Sequence, residues 1–436
     1  MNLNLISKFY GDIMNEYVKN AVKDLKTLIS IPSVQAEPEK DMPLGKAVFD
    51  ALDFFLKTAE EMGFKTVNYD NYIGEVDFGD GKDEIGILCH LDVVPAGDLD
   101  KWTYPPFSAT EANGRIYGRG ATDDKGPAIV CLHAMKALKD EGYVPNKKIR
   151  LILGCNEETG WKCIEHFNKV AKMPENGFSP DADFPVIYAE KGIMPLKFSF
   201  KKSKKLVSIT GGERVNVVCD RCEAVTAVDI PNPEKFGVQK IGDRKYLALG
   251  KSAHGSTPHL GDNAMLKMLN ALRSVDAIDE NAINLLFNDR LGMTTLSDHS
   301  GRLTMSPDVI TSDDKNVYIS VDIRYPVTAF GDDILKKFQT VATVERLSHQ
   351  LPLCADKNGE LVQTLLGVYE EVTGVKAEPI AIGGGTYARA MKNAVAFGPE
   401  TAGTDFAIHQ PDEFASIENI ELQYAVYKAA IAKLAK

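Results

Sequence analysis

The sequence contains no apolar run that approaches the length of a membrane-spanning helix. Its first segment, 1–30, carries acids and lysines throughout and has no apolar core before a small-residue cleavage site, so we expect no signal peptide. Basic residues are outnumbered, with 50 Lys and Arg against 61 Asp and Glu and a formal net charge of -11. Nucleic acids and anionic membranes select clustered positive charge, so we expect neither as a partner.

Cysteines are few, and their odd number, seven, and scattered positions fit a reducing compartment better than a disulfide framework. Cys219 and Cys222 have the spacing of a zinc or redox pair, but no second pair accompanies them, which favours ordinary thiols. We therefore expect a reducing compartment, the cytoplasm. Internal repeats and low-complexity tracts are also lacking, so function is expected in a pocket.

The length of 436 residues, with 44% hydrophobic and 25% charged residues, indicates two domains. Helical spacing of apolar residues and short runs rich in Ile, Leu and Val predict helices over 17–31, 44–62, 125–141, 360–373 and 417–435, and strands over 85–94 and 149–154. This alternation indicates an α/β domain with a largely parallel sheet, whose strand ends carry the active groups. Because the pattern breaks after 192 and later resumes, we expect a discontinuous first domain, 1–192 and 327–436, and an inserted domain, 193–326.

Acidic and imidazole side chains cluster where the predicted strands end. His90 and Asp92 alternate along the first strand and project to one side, so that one can bind a metal ion while the other positions it. Glu157 and Glu158 follow the second strand. One carboxylate of such a pair can bind metal while the other exchanges a proton with water and the leaving amine, although surface acid pairs are also common as solvated charges.

A glycine-bounded loop, 118–126, carries Asp123 and Asp124 and opens directly into a helix. Asp124 can be a ligand or only the N-cap of that helix, which leaves Asp123 as the favoured ligand.

In order, the chain contains His-x-Asp, Gly-Arg-Gly-x-x-Asp-Asp-Lys-Gly, Asn-Glu-Glu and Pro-Asp-Ala-Asp-Phe-Pro. This series resembles the zinc exopeptidase family of aminoacylases, carboxypeptidase G and carnosinases, and within it the peptidase V group. The resemblance implies a catalytic domain with a mixed sheet flanked by helices and an inserted α+β lid domain. It also implies two zinc ions per subunit, with Mn²⁺ or Co²⁺ as possible substitutes in a carboxylate-rich site.

By this resemblance, one zinc ion is held by His90 and Asp181, the other by Glu158 and His409, and Asp123 bridges both. Asp92 would support His90, and Glu157 would be the general base. Asp181 is favoured over Asp183 because it directly follows a proline, although both are acids on a possible strand.

The resemblance extends to the inserted domain. It implies that His254 donates to the oxyanion, that Arg324 binds the free carboxylate of the substrate, and that Asn216 contacts the substrate. Gly384, Gly385, Thr386 and Arg389 either bring backbone amides near that carboxylate or form an ordinary turn.

Glu413 follows His409 by four residues and would meet the free amine of the substrate if the two share a helical face.

These residues together predict a dipeptidase that acts on short peptides. Two alternatives stay open: an amidohydrolase of N-acyl amino acids on the same metals, and a catalytically silent peptide-binding or metal-storage relative. We expect a monomer because the peptidase V group supplies its lid histidine from one chain, with a homodimer as the alternative.

Overall fold

The computed structural model describes residues 15–436, so half of the segment in which we expect no signal peptide lies outside the described residues. The chain divides into two compact units. The first comprises Met1–Tyr188, Cys354–Ile380 and Thr386–Lys436, and the second comprises Ala189–Leu353 and Ala381–Gly385.

A mixed sheet of nine strands runs through the first unit. Its order is Lys65–Tyr69, Ile73–Phe78, Lys148–Gly154, Glu84–His90, Asn176–Ser179, Asn393–Ala396, Ile187–Glu190 and Leu353–Cys354, with Ile380–Ile382 paired to Ile187–Glu190. The four central strands are parallel, and antiparallel strands flank them on both sides. The expected α/β class with a mixed sheet is confirmed.

The α-helices of this unit are Glu16–Ser30, Lys46–Glu61, Lys125–Asp140, Lys162–Val170, Glu360–Thr373 and Ile417–Leu434. Helix Lys125–Asp140 packs against both Glu16–Ser30 and Ile417–Leu434. Its residues are buried on nearly every side, which is typical of a helix that is apolar all round. The helices expected over 17–31, 44–62, 125–141, 360–373 and 417–435 are therefore all present, with ends that agree within two residues.

Two small sheets lie beside the large one. The first pairs Phe414–Ser416 with Arg115–Tyr117 and Thr110–Ala112, and the second pairs Pro399–Glu400 with Ala182–Asp183. The first of these brings the chain around 413 next to the glycine-bounded loop. The 3-10 helices of the unit are Leu99–Lys101 and Tyr387–Ala390.

The second unit is built on an antiparallel sheet of nine strands. Its order is Val238–Gly242, Lys245–Leu249, Arg221–Thr226, Leu206–Gly211, Thr304–Ser312, Asn316–Tyr325, Leu196–Lys201 and Thr343–Arg346, with Gly192–Ile193 paired to Asn316–Tyr325. The helices are Ala264–Arg273, Glu280–Leu286 and Gly331–Gln339, the 3-10 helices are Pro233–Phe236, Pro258–Leu260 and Met293–Thr295, and a short hairpin joins Ser297–Asp298 to Gly301–Arg302. Strand residues such as Phe198 and helix residues such as Met268 share one apolar core.

This unit extends beyond the expected insertion, 193–326. Strand Thr343–Arg346 pairs with Leu196–Lys201, and the ring of Phe338 packs edge-on against Phe198 with centroids 5.2 Å apart. The chain between 327 and 353 therefore completes the sheet and core of the second unit.

All seven cysteines are thiols; six of them are buried and Cys354 is exposed. Within residues 15–436, none of the helices combines the length and apolar character that a membrane crossing needs.

Candidate active site

The parallel strands of the first unit end at one edge, and the expected metal ligands follow those ends. His90 is the last residue of its strand and pairs with Gly154, the last residue of the neighbouring strand. Glu157 and Glu158 lie in the turn after Gly154, and Asp181 follows the strand Asn176–Ser179. Active groups at the carboxyl ends of strands are typical of open α/β sheets.

Asp123 lies between two histidines. Its Oδ1 is 2.9 Å from His90 Nε2, and its Oδ2 is 2.8 Å from His409 Nε2. One carboxylate thus presents a separate oxygen to each imidazole, as a ligand shared by two cations requires.

Each histidine has a second carboxylate beside it. His90 Nε2 is 3.9 Å from Asp181 Oδ2, and His409 Nε2 is 3.1 Å from Glu158 Oε1. Two ligand atoms on one tetrahedral zinc ion, each ~2.0–2.1 Å from it, lie roughly 3.3 Å apart. The separations of 2.8 to 3.9 Å bracket that value, so these pairs of side chains have the spacing that ligands of a divalent ion require. Candidate ligand atoms of His90, Asp123 and Glu158 all lie within 4.8 Å of one another.

The charges at this centre also favour cations. Hydrogen bonds from His409 and His90 lower the pKa of Asp123, against the opposing effect of its burial. Burial lowers the pKa of His409, but its hydrogen bonds to Asp123 and Glu158 raise the value to about 11. Burial, with the charge of Asp123, raises the pKa of Asp181 well above its ordinary value. With three carboxylates and two imidazoles, the five side chains offer the oxygen and nitrogen donors that divalent ions take.

The tautomer of His90 is fixed by a backbone group. Its Nδ1 is 2.9 Å from the main-chain carbonyl of Asp92, which can only accept, so Nδ1 carries a proton and Nε2 is the nitrogen that would face a bound metal ion. The Asp92 carboxylate is farther from this nitrogen, at 3.6 Å. The strand ends at His90, so the expected alternation of His90 and Asp92 along one strand is wrong.

The carboxylate of Asp92 instead binds the backbone N–H groups of Glu157 and Glu158. Its Oδ1 accepts the backbone N–H of Glu157 at 3.0 Å, and its Oδ2 accepts that of Glu158 at 3.1 Å. A fully buried aspartate therefore fixes the turn from which both glutamate side chains project.

Glu157, the expected general base, lies in a buried and acidic environment. Burial, together with the charges of Glu158, Asp123 and Asp92, raises its pKa to about 8 against the effect of His90. The indole N–H of Trp161 donates to Glu157 Oε1 at 3.3 Å. Trp161 itself has a φ of 64°, a left-handed backbone that is rare for a bulky residue.

Asp124 occupies the N-cap position of the helix that follows it. Its side chain makes no capping hydrogen bond, and its Oδ2 instead accepts the backbone N–H of His90 at 3.1 Å. The other oxygen, Oδ1, is buried without a hydrogen-bond partner among the described residues. The expected N-cap position of Asp124 is therefore confirmed, but its carboxylate anchors the strand end that carries His90 and does not cap the helix. The peptide bond between Asp123 and Asp124 is cis.

Glu413 is a structural anchor rather than an amine receptor. Residues 408–412 form turns and a bend, so the expected helical face shared with His409 is absent from this described segment. The Glu413 carboxylate is fully buried, and its Oε1 accepts backbone N–H groups of Gly120 at 3.0 Å, Thr122 at 3.1 Å and Asp123 at 3.3 Å. Its Oε2 pairs with Arg119.

His409 is held in an unusual backbone. Its φ is 60° and that of Ala407 is 54°, both in the left-handed region that non-glycine residues rarely adopt. Such strain concentrates at functional sites, where the surrounding structure enforces it. Half of the His409 side chain is exposed, whereas that of His90 is buried, so the site opens on the His409 side.

His254 and Asn216 lie in the second unit. His254 Nδ1 accepts the backbone N–H of Ser256 at 3.1 Å, which leaves the proton of the neutral ring on Nε2 as a donor. Asn216 has a φ of 126°, and its backbone N–H donates to Asp308 Oδ2 at 3.0 Å.

Arg324, also in the second unit, is only 5% exposed and is held by two neighbours. Its Nε lies 2.8 Å and its Nη2 also 2.8 Å from Asp322 Oδ2, and its Nη1 donates to the carbonyl of Gly383 at 3.1 Å. A guanidinium has five N–H groups, so two are left for a ligand carboxylate.

The glycine-rich segment is divided between the units. Gly384 and Gly385 belong to the second, and Thr386 and Arg389 to the first. Thr386 caps the 3-10 helix that contains Arg389, with its hydroxyl accepting the N–H of Ala388 at 3.2 Å.

Reasoning from sequence missed the contacts that hold the site together. Arg119 belongs to the Gly-Arg-Gly-x-x-Asp-Asp-Lys-Gly motif, and a buried guanidinium needs an acidic partner. That partner is Glu413, which lies 294 residues away in the sequence. Tyr387, whose ring packs edge-on against His90 with centroids 6.1 Å apart, carries no signal in the sequence.

Comparison with known proteins agrees with this geometry. Residues 86–433 match the profile of peptidase family M20/M25/M40. A relative from Bacillus subtilis (strain 168), YtjP, is 36% identical over 458 residues, covering 96% of this chain and 98% of its own. The beta-Ala-Xaa dipeptidase of Lactobacillus delbrueckii subsp. lactis is 34% identical over 460 residues, covering 97% of each chain.

Among solved structures, human carnosine dipeptidase 1 superposes with a TM-score of 0.63 at 15% identity, covering 96% of each chain, which shows a shared fold. The matched profile spans most of the chain, including His90, Asp123, Glu158, Asp181 and His409. By its sequence and by the residues that meet at its strand ends, the chain belongs to peptidase family M20/M25/M40.

Proposed function

We propose that this protein is a two-metal dipeptidase with Glu157 as its general base. The observation that carries the proposal is the position of Asp123, with one oxygen 2.9 Å from His90 and the other 2.8 Å from His409. Glu157 lies in the same turn as the ligand Glu158, and the ordering of that turn by Asp92 supports a fixed direction for its carboxylate.

His90 and Asp181 would hold one ion, Glu158 and His409 the other, and Asp123 both. Zinc suits this set of two imidazoles and three carboxylates, and Mn²⁺ or Co²⁺ can be accepted by the same ligands. Two such ions, when bound, supply Lewis acidity toward a peptide carbonyl and lower the pKa of water.

The protein supplies the proton transfers. Glu157 takes the proton of the attacking water and returns it to the departing amine, because an amine leaves poorly without a proton. Trp161, which donates to Glu157 Oε1 at 3.3 Å, keeps one oxygen occupied and leaves the other for the proton.

Groups of the second unit would bind the substrate. The Nε2–H of His254 would donate to the oxyanion that forms at the carbonyl, and two N–H groups of Arg324 would grip the free carboxylate of the substrate. Asn216 would contribute a further polar contact. Backbone amides near Gly384, Gly385, Thr386 and Arg389 remain candidates for the same carboxylate.

A free amine on the substrate is favoured by two carboxylates close to Asp181. Asp183 and Glu400 face each other across paired strands, and neither forms a salt bridge with a lysine or arginine of the described chain. Burial and the charge of Asp183 raise the pKa of Glu400 to about 7. An ammonium group would relieve this repulsion, whereas an N-acyl group would not.

The names of relatives support the same substrate class, since one acts on beta-Ala-Xaa dipeptides and a structural neighbour is a carnosine dipeptidase. The free thiols are consistent with a role in the cytoplasm. We propose a monomer on the resemblance to the peptidase V group, in which one chain supplies the lid histidine.

Assays of dipeptides, tripeptides and N-acetyl amino acids after chelation, with Zn²⁺, Mn²⁺ or Co²⁺ restored separately, test the proposal. We expect hydrolysis of dipeptides and two bound ions per chain by metal analysis. Activity confined to N-acetyl amino acids would instead establish the amidohydrolase, and binding without turnover would establish the silent relative.

A further inference from the structure

In the second unit, a series of contacts connects the buried residue Asp308 to the candidate substrate-binding residues Asn216, His254 and Arg324. Strand Thr304–Ser312 pairs with Asn316–Tyr325, but the register shifts between Pro307 and Val309. Asp308 is therefore the extra residue of a β-bulge, a device that redirects one side chain out of the ladder. The redirected carboxylate is fully buried.

The carboxylate of Asp308 meets two donors. Its Oδ2 accepts the backbone N–H of Asn216 at 3.0 Å, and its Oδ1 accepts the hydroxyl of Ser306. Asn216 has a φ of 126°, which costs free energy for any residue with a side chain, so the contact holds a backbone that would otherwise relax.

Asn216 in turn fixes the loop that carries His254. Its carbonyl accepts the N–H of Gly255 at 2.6 Å, and Val218 donates to Ala253 at 2.9 Å, so the two segments form a short bridge around His254. The imidazole therefore projects from a loop whose backbone is tied to residue 216.

The same loop also contacts the support of Arg324. A Cβ on Gly255 would lie 2.5 Å from Asp322 Oδ2 and 3.0 Å from the Cα of Asn216, so only glycine fits between them. Asp322 holds Arg324 through Nε at 2.8 Å. A continuous series of contacts thus links Asp308 to Asn216, to the His254 loop and to Arg324.

We infer that Asp308 is a positioning residue, which fixes Asn216 and the His254 loop in the conformation that binds substrate. The inference rests on the proposed function of those two residues. A stability role explains Asp308 less well, because a buried carboxylate that meets only a hydroxyl and one N–H loses more hydration than it regains. Burial and the nearby charge of Asp322 raise the pKa of this group to about 7, which reflects that cost.

The test compares Asp308→Ala with Asn216→Gly and with the double variant. Glycine keeps the N–H at 216 and accepts the positive φ, so it removes only the side chain. We expect Asp308→Ala to lower kcat/KM for dipeptides by roughly 10- to 100-fold, as small misplacements of binding groups do, with metal content unchanged. The loss in the double variant should be smaller than the product of the single losses, because both changes act on one group.

Asp289→Ala is the matched control. Asp289 accepts the N–H of Met293 at 2.7 Å and that of Thr294 at 2.9 Å in the same unit, and within residues 15–436 it forms no hydrogen bond with Asn216. We expect it to lower thermal stability and leave kcat/KM within about twofold of the wild-type value. If Asp308→Ala does not fold, Asp308→Ser, which keeps the site polar but cannot reach Asn216, replaces it.

Hydrogen exchange supplies a readout independent of activity. The amide of Asn216 should lose protection in Asp308→Ala and keep it in Asp289→Ala. The inference would be overturned if the losses in kcat/KM of the two single variants multiply in the double variant. It would also be overturned if the amide of Asn216 stays protected in Asp308→Ala. A wild-type protein without dipeptidase activity would overturn the proposed function, and the exchange data would still decide whether Asp308 fixes the loop.

Discussion

Asp92 Oδ1 accepts the backbone N–H of Glu157 at 3.0 Å, and the second oxygen of the same carboxylate accepts the next N–H in the chain. One buried side chain therefore fixes the backbone of both the proposed base and the proposed metal ligand beside it. Sequence reasoning gave Asp92 the task of supporting His90, which it performs through its backbone carbonyl instead.

We predict that Asp92→Asn lowers kcat roughly 10- to 100-fold, because misplaced catalytic groups cost about that much. An amide offers one accepting oxygen, so its NH₂ group would face the second N–H. Steady-state kinetics of the variant checks this. Asp98→Asn, at an exposed turn where Asp98 accepts the N–H of Asp100, should behave as wild type. Equal activity of both variants would contradict the role of Asp92.

Glu157→Gln should keep the metal ions and lower turnover by roughly 10²- to 10⁴-fold, because a glutamine cannot take up the proton of water. Metal analysis and single-turnover kinetics measure the two properties separately. Turnover near the wild-type value would remove Glu157 from the mechanism.

Glu413→Gln should lower the free energy of unfolding by about 3 kcal/mol or more, because it leaves Arg119 buried without its partner. Urea denaturation measures the change. The double variant with Arg119→Met should be less destabilised than Glu413→Gln alone, since no unpaired charge remains. A single variant as stable as wild type would show that Glu413 does not anchor the loop.

We expect the free energy of unfolding to depend on pH through Asp77, which is not one of the candidate metal ligands. Burial, with the neighbouring Glu75, raises its pKa from 3.8 to about 6. The carboxyl group of Asp77 therefore binds a proton more tightly in the folded protein than in the unfolded chain. The stability that this protonation contributes is fully present below pH 3.8 and is lost as the pH rises through about 6.

The side chain in Asp77→Asn stays neutral at every pH. The stability of this variant relative to wild type should therefore increase as the pH is raised from about 4 to 7. Denaturation of both proteins over that range tests this, and a difference that is constant with pH would contradict it.

Glu400→Gln should raise KM for free dipeptides and leave that for N-acetylated dipeptides unchanged, since only the former carry an ammonium group. Competition between the two substrates measures the selectivity directly. An equal change for both would show that Glu400 does not recognise the amine.

The sequence was sufficient for elements whose signal is local. The helix expected over 360–373 and the strand expected over 149–154 follow from apolar periodicity, whereas the strand expected over 85–94 ends four residues earlier, at His90. The contacts between distant residues were not predictable in this way. The pairing of Glu413 with Arg119 joins positions 294 residues apart, and the β-bulge at Asp308 leaves no pattern in the sequence.

The boundary of the second unit was missed for the same reason. Strand Thr343–Arg346 completes the sheet by pairing with a strand almost 150 residues earlier, which only the tertiary structure reveals. Glu413 was misassigned because a spacing of four suggests a helical face, whereas the left-handed residues Ala407 and His409 produce turns.

The distribution of thiols has a practical consequence. Six cysteines are buried and only Cys354 reaches solvent, so a maleimide dye would attach at a single position of the unmodified protein. Fluorescence experiments on substrate binding could therefore begin without first removing any other cysteine.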